Sequence, residues 1–190
     1  MEIMRFTPMC DMEDSFRRLT NVSDERHPYM NAHSISIESV SVDDVRPTQL
    51  YIYNPALERQ KRLRDSMGSL GIDTLAMTGR YEFSDSNGHH VIIPPVIEMT
   101  DDGDKLIVDG THRTFLARQL GLAVIKVILI DGVDKTAPPF GEPARWDEGR
   151  QYDSLEGVQK RRSKFPREDK GKYYRDFSGI TGRISGHRDG

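Results

Sequence analysis

A chain of 190 residues can bury one sizeable core, whereas two independent cores would each be marginal. Charged residues make up 30% and the mean hydropathy is −0.62, so part of the chain is expected to be solvated tail or loop. No run reaches the roughly 18 uncharged apolar residues of a membrane span, the N-terminus lacks the pattern of a secretion signal, and Cys10 stands alone without a disulfide partner, so a soluble cytoplasmic protein is the expectation. The net charge of −3 hides an asymmetry. Residues 159–190 hold ten Lys/Arg against four Asp/Glu, a local charge of +6, which leaves −9 on the body.

In chain order, Met12, Phe16 and Leu19 recur at helical spacing and predict a short amphipathic helix within an N-terminal arm, residues 1–34. Ile35 and Ile37 alternate in one phase and Val40 and Val42 in the other, which predicts a strand with a bulge or break near Glu38 and Ser39. Asn54-Pro55 reads as an N-cap followed by proline at the first helical position. Ala56, Leu63, Met67 and Leu70 share a face before Gly71, which reads as the C-cap. Strands are expected over Arg80–Phe83, Val91–Ile93 and Val96–Met99, with a hairpin turn at Ser86-Asn87-Gly88, and Pro94-Pro95 keeps the last two apart.

After a turn at Asp101–Asp104, the run LIVDGTHRTFLARQLGLAVIKVILIDG reads as a strand, a tight turn at Gly110, a helix from Thr111 and a buried strand Val124–Ile130. The helix carries Phe115, Leu116 and Leu120 on its apolar side and stops at Gly121. Residues 132–158 are rich in Pro, Gly and charge and form a loop segment packed on the domain, with Trp146 as its anchor; residues 159–190 form a basic tail.

The turn Asp109-Gly110-Thr111-His112-Arg113 lies where a strand meets a helix N-terminus, so backbone N–H groups and the positive end of the helix dipole face outward. Gly110 allows close approach of a ligand, Thr111 caps the helix or bonds a phosphate oxygen, and His112 and Arg113 add donors suited to phosphate. Asp109 is placed to hold Mg²⁺ or to orient His112. A purely structural reading is as well supported: Thr111 caps, Asp109 pairs with Arg113, and His112 is an ordinary first-turn residue.

DGTHR opening a helix that closes with QLGL, together with the upstream order of a first strand, Pro47-Thr48-Gln49 and a helix, resembles the ParB/sulfiredoxin superfamily over roughly Ile35 to Ile130. The resemblance implies an α+β domain, residues 35–131, with a small mixed sheet flanked by helices and a basic C-terminal extension. It also implies a nucleoside triphosphate, ATP or CTP, bound with Mg²⁺ at the turn, and transfer or hydrolysis of its terminal phosphoryl group. Sulfiredoxin chemistry is not expected, because Thr111 stands where that reaction needs a cysteine. With about 60 residues after Ile130, a complete partition protein is not expected either.

Kinase relatives place a catalytic glutamate where Gln49 falls here, and an amide cannot act as a general base. Gln49 is therefore read as a nucleotide contact, and Glu38 stands in as the acid beside Asp109 and His112; Asp43, Asp44 and Glu58 are further candidates. The acceptor and the oligomeric state are not legible. The alternative is a non-enzymatic regulatory module with a nucleotide switch, in which Lys160, Arg161, Arg162, Lys164 and Arg167, interleaved with Phe165, Tyr173, Tyr174 and Phe177, contact nucleic acid. His89-His90 is a poor metal pair because neighbours in a strand point to opposite faces. Gly179, Gly182 and Gly186 lack the residues of a Walker loop and read as a flexible terminus.

Overall fold

The computed structural model describes residues 1–86, 88–139, 141–160, 162 and 165–181. The first half carries β1 (Glu2–Pro8), α1 (Glu13–Arg17), β2 (Ser34–Ser41), β3 (Val45–Pro47), β4 (Tyr51–Tyr53), α2 (Asn54–Gly68) and β5 (Gly79–Asp85). Then come β6 (Gly88–Ile92), β7 (Val96–Met99), β8 (Lys105–Asp109), α3 (Thr111–Gln119), β9 (Val124–Asp131), β10 (Arg150–Tyr152) and α4 (Ser178–Thr181). The architecture is α+β, and its centre is a five-stranded mixed sheet of order β2-β9-β7-β8-β3.

The expected break in β2 is absent. It pairs with β9 in unbroken antiparallel register from Ser34–Asp131 to Ser41–Val124. The change of phase has another cause: both faces of the sheet are covered, so apolar side chains of either phase find a core. Ile35 joins Ile128 and Ile130 on one face, beneath Met12, Phe16, Phe177 and Ile180, whereas Val40 joins Ile125 and Val127 on the other, beneath Ala117 of α3. Val127, Ile128 and Ile130 are wholly buried, each contributing about 1.5–3 kcal/mol by leaving water.

The proline pair performs the separation its chemistry dictates. β6 ends in the antiparallel sheet β1-β5-β6, and after Ile93 and the two prolines the chain enters the central sheet as β7, with the Pro95 carbonyl accepting from the Ile128 N–H at 2.8 Å. The expected hairpin pairs Asp85 with Gly88; Asn87 lies outside the described residues. Three details differ from expectation. Asn54 is the first residue of α2 rather than its cap, and its side chain donates to Asp153 at 2.8 Å. Leu120 is exposed, and α3 instead buries Leu116 against α2 and Ala117 against the sheet. The C-terminal segment through α4 stays on the body: Arg175, Phe177 and Ile180 are buried, and α4 packs on the same face as α1. Among the described residues no helix is long and apolar enough to cross a membrane.

Candidate functional site

The DGTHR turn is held by close packing around one glycine. Gly110 has φ +93°, and a Cβ built there would lie 2.7 Å from the Pro95 Cβ, so both the left-handed backbone and the contact with the sheet-switching prolines demand glycine. Helical hydrogen bonding begins with the Thr114 N–H donating to the Gly110 carbonyl at 3.0 Å, which leaves the first-turn amides outside the helix ladder. No side chain caps α3, and Thr111 is buried at the start of the helix.

The side chains of the turn divide between two sides. His112 Nε2 accepts the Tyr53 N–H at 3.0 Å, and its ring meets Tyr51 edge-on at 6.4 Å. That bond puts the lone pair of the neutral ring on Nε2 and the proton on Nδ1, while tying α3 to the start of α2. Arg113 and Asp109 turn the other way. The guanidinium donates to Asp109 Oδ2 at 3.1 Å and to the Ile93 carbonyl, and the side chains of the pair are 5% and 15% exposed. The pairing that the structural reading anticipated is thus formed, and it borders open space.

That space is a cleft of about 440 Å³. Asp109 and Arg113 form one wall, Arg59 and Arg62 of α2 a second, and Asp85 and His90 of the β5–β6 hairpin a third, with Thr181 of α4 at the rim. Three arginines from two helices border this concave surface, and guanidinium groups suit anions such as phosphate. Arg59 and Arg62 escaped the sequence reading because they look like ordinary surface cations. Their spacing of three, which puts both on one side of α2, was the available signal. His90 and Asp85 lie across the hairpin, and only the strand register, Phe83 opposite His90, reveals that they meet.

The remaining expected residues lie elsewhere. Gln49 is buried, and its Nε2 donates to the Tyr51 carbonyl at 2.9 Å, bracing the approach to β4 rather than lining the cleft. Glu38 is exposed on β2 and accepts from Ser36 Oγ at 2.9 Å; two strands, β9 and β7, separate β2 from β8 and its terminal Asp109. The Lys160 carbonyl accepts from Leu50 and the Arg162 carbonyl from Glu142, each at 2.9 Å, and the Arg162 side chain pairs with Glu148 at 2.7 Å. Arg167 opens a short 3-10 helix over Arg167–Lys172. Arg161 and Lys164 lie outside the described residues, as do Gly182 and Gly186. Trp146 folds back on α3, with its ring 6.0 Å from that of Phe115.

The protein family described as ParB CE domain matches residues 11–150, nearly three-quarters of the chain and all of the turn. The chain belongs to that family. No curated protein matches it. Among solved structures, a Pnob8-like ParB-N domain is similar at 16% identity with a TM-score of 0.32, over 54% of this chain and 32% of that one, so this ParB-family chain spans about a third of that protein's length. The match to the ParB CE domain stops at residue 150, before the C-terminal segment that carries Arg175 and Thr181.

Proposed function

We propose that this ParB-family protein binds a nucleoside triphosphate in the arginine-lined cleft and transfers or hydrolyses its terminal phosphoryl group. The observation that carries the reading is the convergence of Arg59, Arg62 and Arg113 on one concave surface beside the N-terminal end of α3. In phosphoryl transfer a protein mainly positions groups and neutralises charge, and guanidinium groups do both. Arg113, fixed by Asp109 and the Ile93 carbonyl, is preorganised, whereas Arg59 and Arg62 are exposed and able to close on a ligand. The C-terminal cations are a weaker seat for function, because Arg162, Lys172 and Arg175 already pair with Glu148, Asp169 and Glu98.

Among the described residues no group of three or more His, Cys, Asp or Glu is arranged to cage a metal ion. The two cleft carboxylates face cationic or imidazole partners, Asp109 toward Arg113 and Asp85 toward His90. These residues fit Mg²⁺ only as an ion carried by the phosphates with most of its water, where it would supply charge neutralisation.

The test is calorimetric titration of the full chain with ATP, CTP and GTP in the presence of Mg²⁺. One of them is expected to bind, and Arg59→Ala and Arg62→Ala are each expected to weaken that binding about tenfold, ~1.4 kcal/mol. Failure of all three nucleotides to bind refutes the reading. Salt-sensitive association with DNA or RNA that survives both substitutions and disappears on reversing the charge of Lys160 and Arg162 establishes the nucleic-acid module in its place.

A further inference from the structure

The β5–β6 hairpin brings into the cleft a pair that phosphate binding does not use. Asp85 is the last residue of β5, and His90 stands opposite Phe83 in the register of the two strands. His90 Nε2 lies 2.9 Å from Asp85 Oδ1, and the imidazole stacks on the Phe83 ring, centroids 5.2 Å apart and planes 25° from parallel. The two side chains are 22% and 26% exposed, sheltered but open to the cleft that both line. Adjacent His89 turns to the other face and meets Glu82 at 3.3 Å, so the two histidines have separate surroundings.

A carboxylate that accepts from Nε2–H leaves the lone pair of the neutral ring on Nδ1 and stabilises the imidazolium formed when Nδ1 takes a proton. Phe83, buried in its own cluster with Met67, Met77 and Ile92, holds the ring at one angle. An imidazole fixed by a carboxylate on one nitrogen and by an aromatic face along its plane is built for proton transfer rather than for packing alone.

We propose that His90, oriented by Asp85, is the general base of the cleft and accepts the proton of the water or hydroxyl group that attacks the terminal phosphorus. This rests on the nucleotide reading above. As the oxygen–phosphorus bond forms, the O–H proton passes to Nδ1. The bond to the bridging oxygen breaks with its electron pair, the nucleoside diphosphate leaves, and His90 returns the proton to solvent. Water is the simplest acceptor, and a small hydroxyl compound reacts in the same way. The charged groups sharing the cleft with His90 are Asp85 on β5, Arg59 and Arg62 on α2, Asp109 on β8 and Arg113 on α3, together with the N-terminal Met1.

The test measures phosphate release and nucleotide affinity side by side on the full chain, with ATP and CTP as probes and Mg²⁺ present. His90→Gln is expected to bind nucleotide within twofold of wild type while turnover falls about 10²–10⁴-fold and the acid limb of the pH–rate profile disappears. Asp85→Asn, which removes the carboxylate that orients the ring, is expected to lower kcat about 10–10²-fold while nucleotide affinity stays within twofold of wild type. Thermal unfolding and affinity report whether each variant is folded, and either variant alone decides the matter if the other is not. Turnover by a folded His90→Gln within threefold of wild type overturns the inference, as does a kcat within threefold of wild type in folded Asp85→Asn. Nucleotide binding by wild type with no phosphate release overturns the inference and leaves the binding site standing, whereas absence of binding removes both.

Discussion

Gly110 concentrates at one residue the constraints that shape the cleft. Its φ of +93° excludes an ordinary L-residue, and its approach to Pro95 leaves no room for a methyl group. Gly110→Ala is expected to cost about 1–2 kcal/mol for the left-handed backbone alone, with the clash added. At roughly 2–4 °C per kcal/mol for a chain of this size, the melting temperature should fall by at least several degrees, measured by thermal denaturation. An unchanged melting temperature would mean that the turn relaxes freely. The turn was legible because a strand, a glycine and a helix follow one another within a few residues. The destination of Arg113 was not, since its acceptor on Ile93 is brought near only by the switch between sheets. The sequence also left open whether Asp109 pairs with Arg113, and the two side chains form an ion pair at 3.1 Å.

At the scale of elements, β7 carries a polar anchor in the middle of an apolar strand. Glu98 is 1% exposed, accepts from Arg175 at 2.6 and 3.0 Å and from the Tyr29 hydroxyl at 2.6 Å, and so ties β7 to the N-terminal arm and the C-terminal segment. Burial works against the Arg175 charge, yet the facing Glu98 carboxylate more than offsets it and holds the guanidinium protonated. Burial and the same carboxylate raise the Tyr29 hydroxyl well above its ordinary value near 10. The sign follows from linkage. Above about pH 10 the unfolded chain releases the tyrosine proton and the folded chain keeps it, so stability is fully present below that pH and is lost as pH rises beyond it. Urea midpoints measured between pH 8 and 11.5 should therefore fall for wild type and fall less for Tyr29→Phe. Equal slopes would show that another group governs alkaline unfolding. Arg175→Met should cost about 3–5 kcal/mol by leaving Glu98 charged, buried and without its cation, and Glu98→Leu added to it should restore much of that loss. No periodicity marks this anchor, because its members come from residues 21, 29, 98 and 175, each unremarkable in its local sequence. Helix α3 and strand β9 were legible for the opposite reason: their period, length and glycine stops are all local.

At the scale of the molecule, the C-terminal segment decides whether the body is closed. Read from composition it is a solvated basic tail, since residues 159–190 hold ten Lys/Arg against four Asp/Glu. In the structure Arg162, Lys172 and Arg175 pair with Glu148, Asp169 and Glu98, while Phe177 and Ile180 complete a core. Phe177 meets Phe16 edge-on at 6.2 Å, Ile180 joins the same cluster, and Arg175 neutralises Glu98. Thr181, the last residue of α4, lines the cleft, so this segment links the stability of the β2–β9 face to the shape of the site. Removing residues 165–190 would take away the buried side chains of Phe177 and Ile180, about 1.5–3 kcal/mol each, and strand the Glu98 carboxylate without Arg175, about 3–5 kcal/mol more. That loss is comparable to the roughly 5–15 kcal/mol stabilising a typical domain. The truncated chain is therefore expected to lose its cooperative thermal transition, and nucleotide binding with it. A solvated tail predicts a melting temperature within a degree or two of wild type and unchanged affinity, so one thermal scan of the truncated chain separates the two. If the transition survives at the wild-type temperature, the contacts of Arg175, Phe177 and Ile180 do not contribute the stability their burial implies.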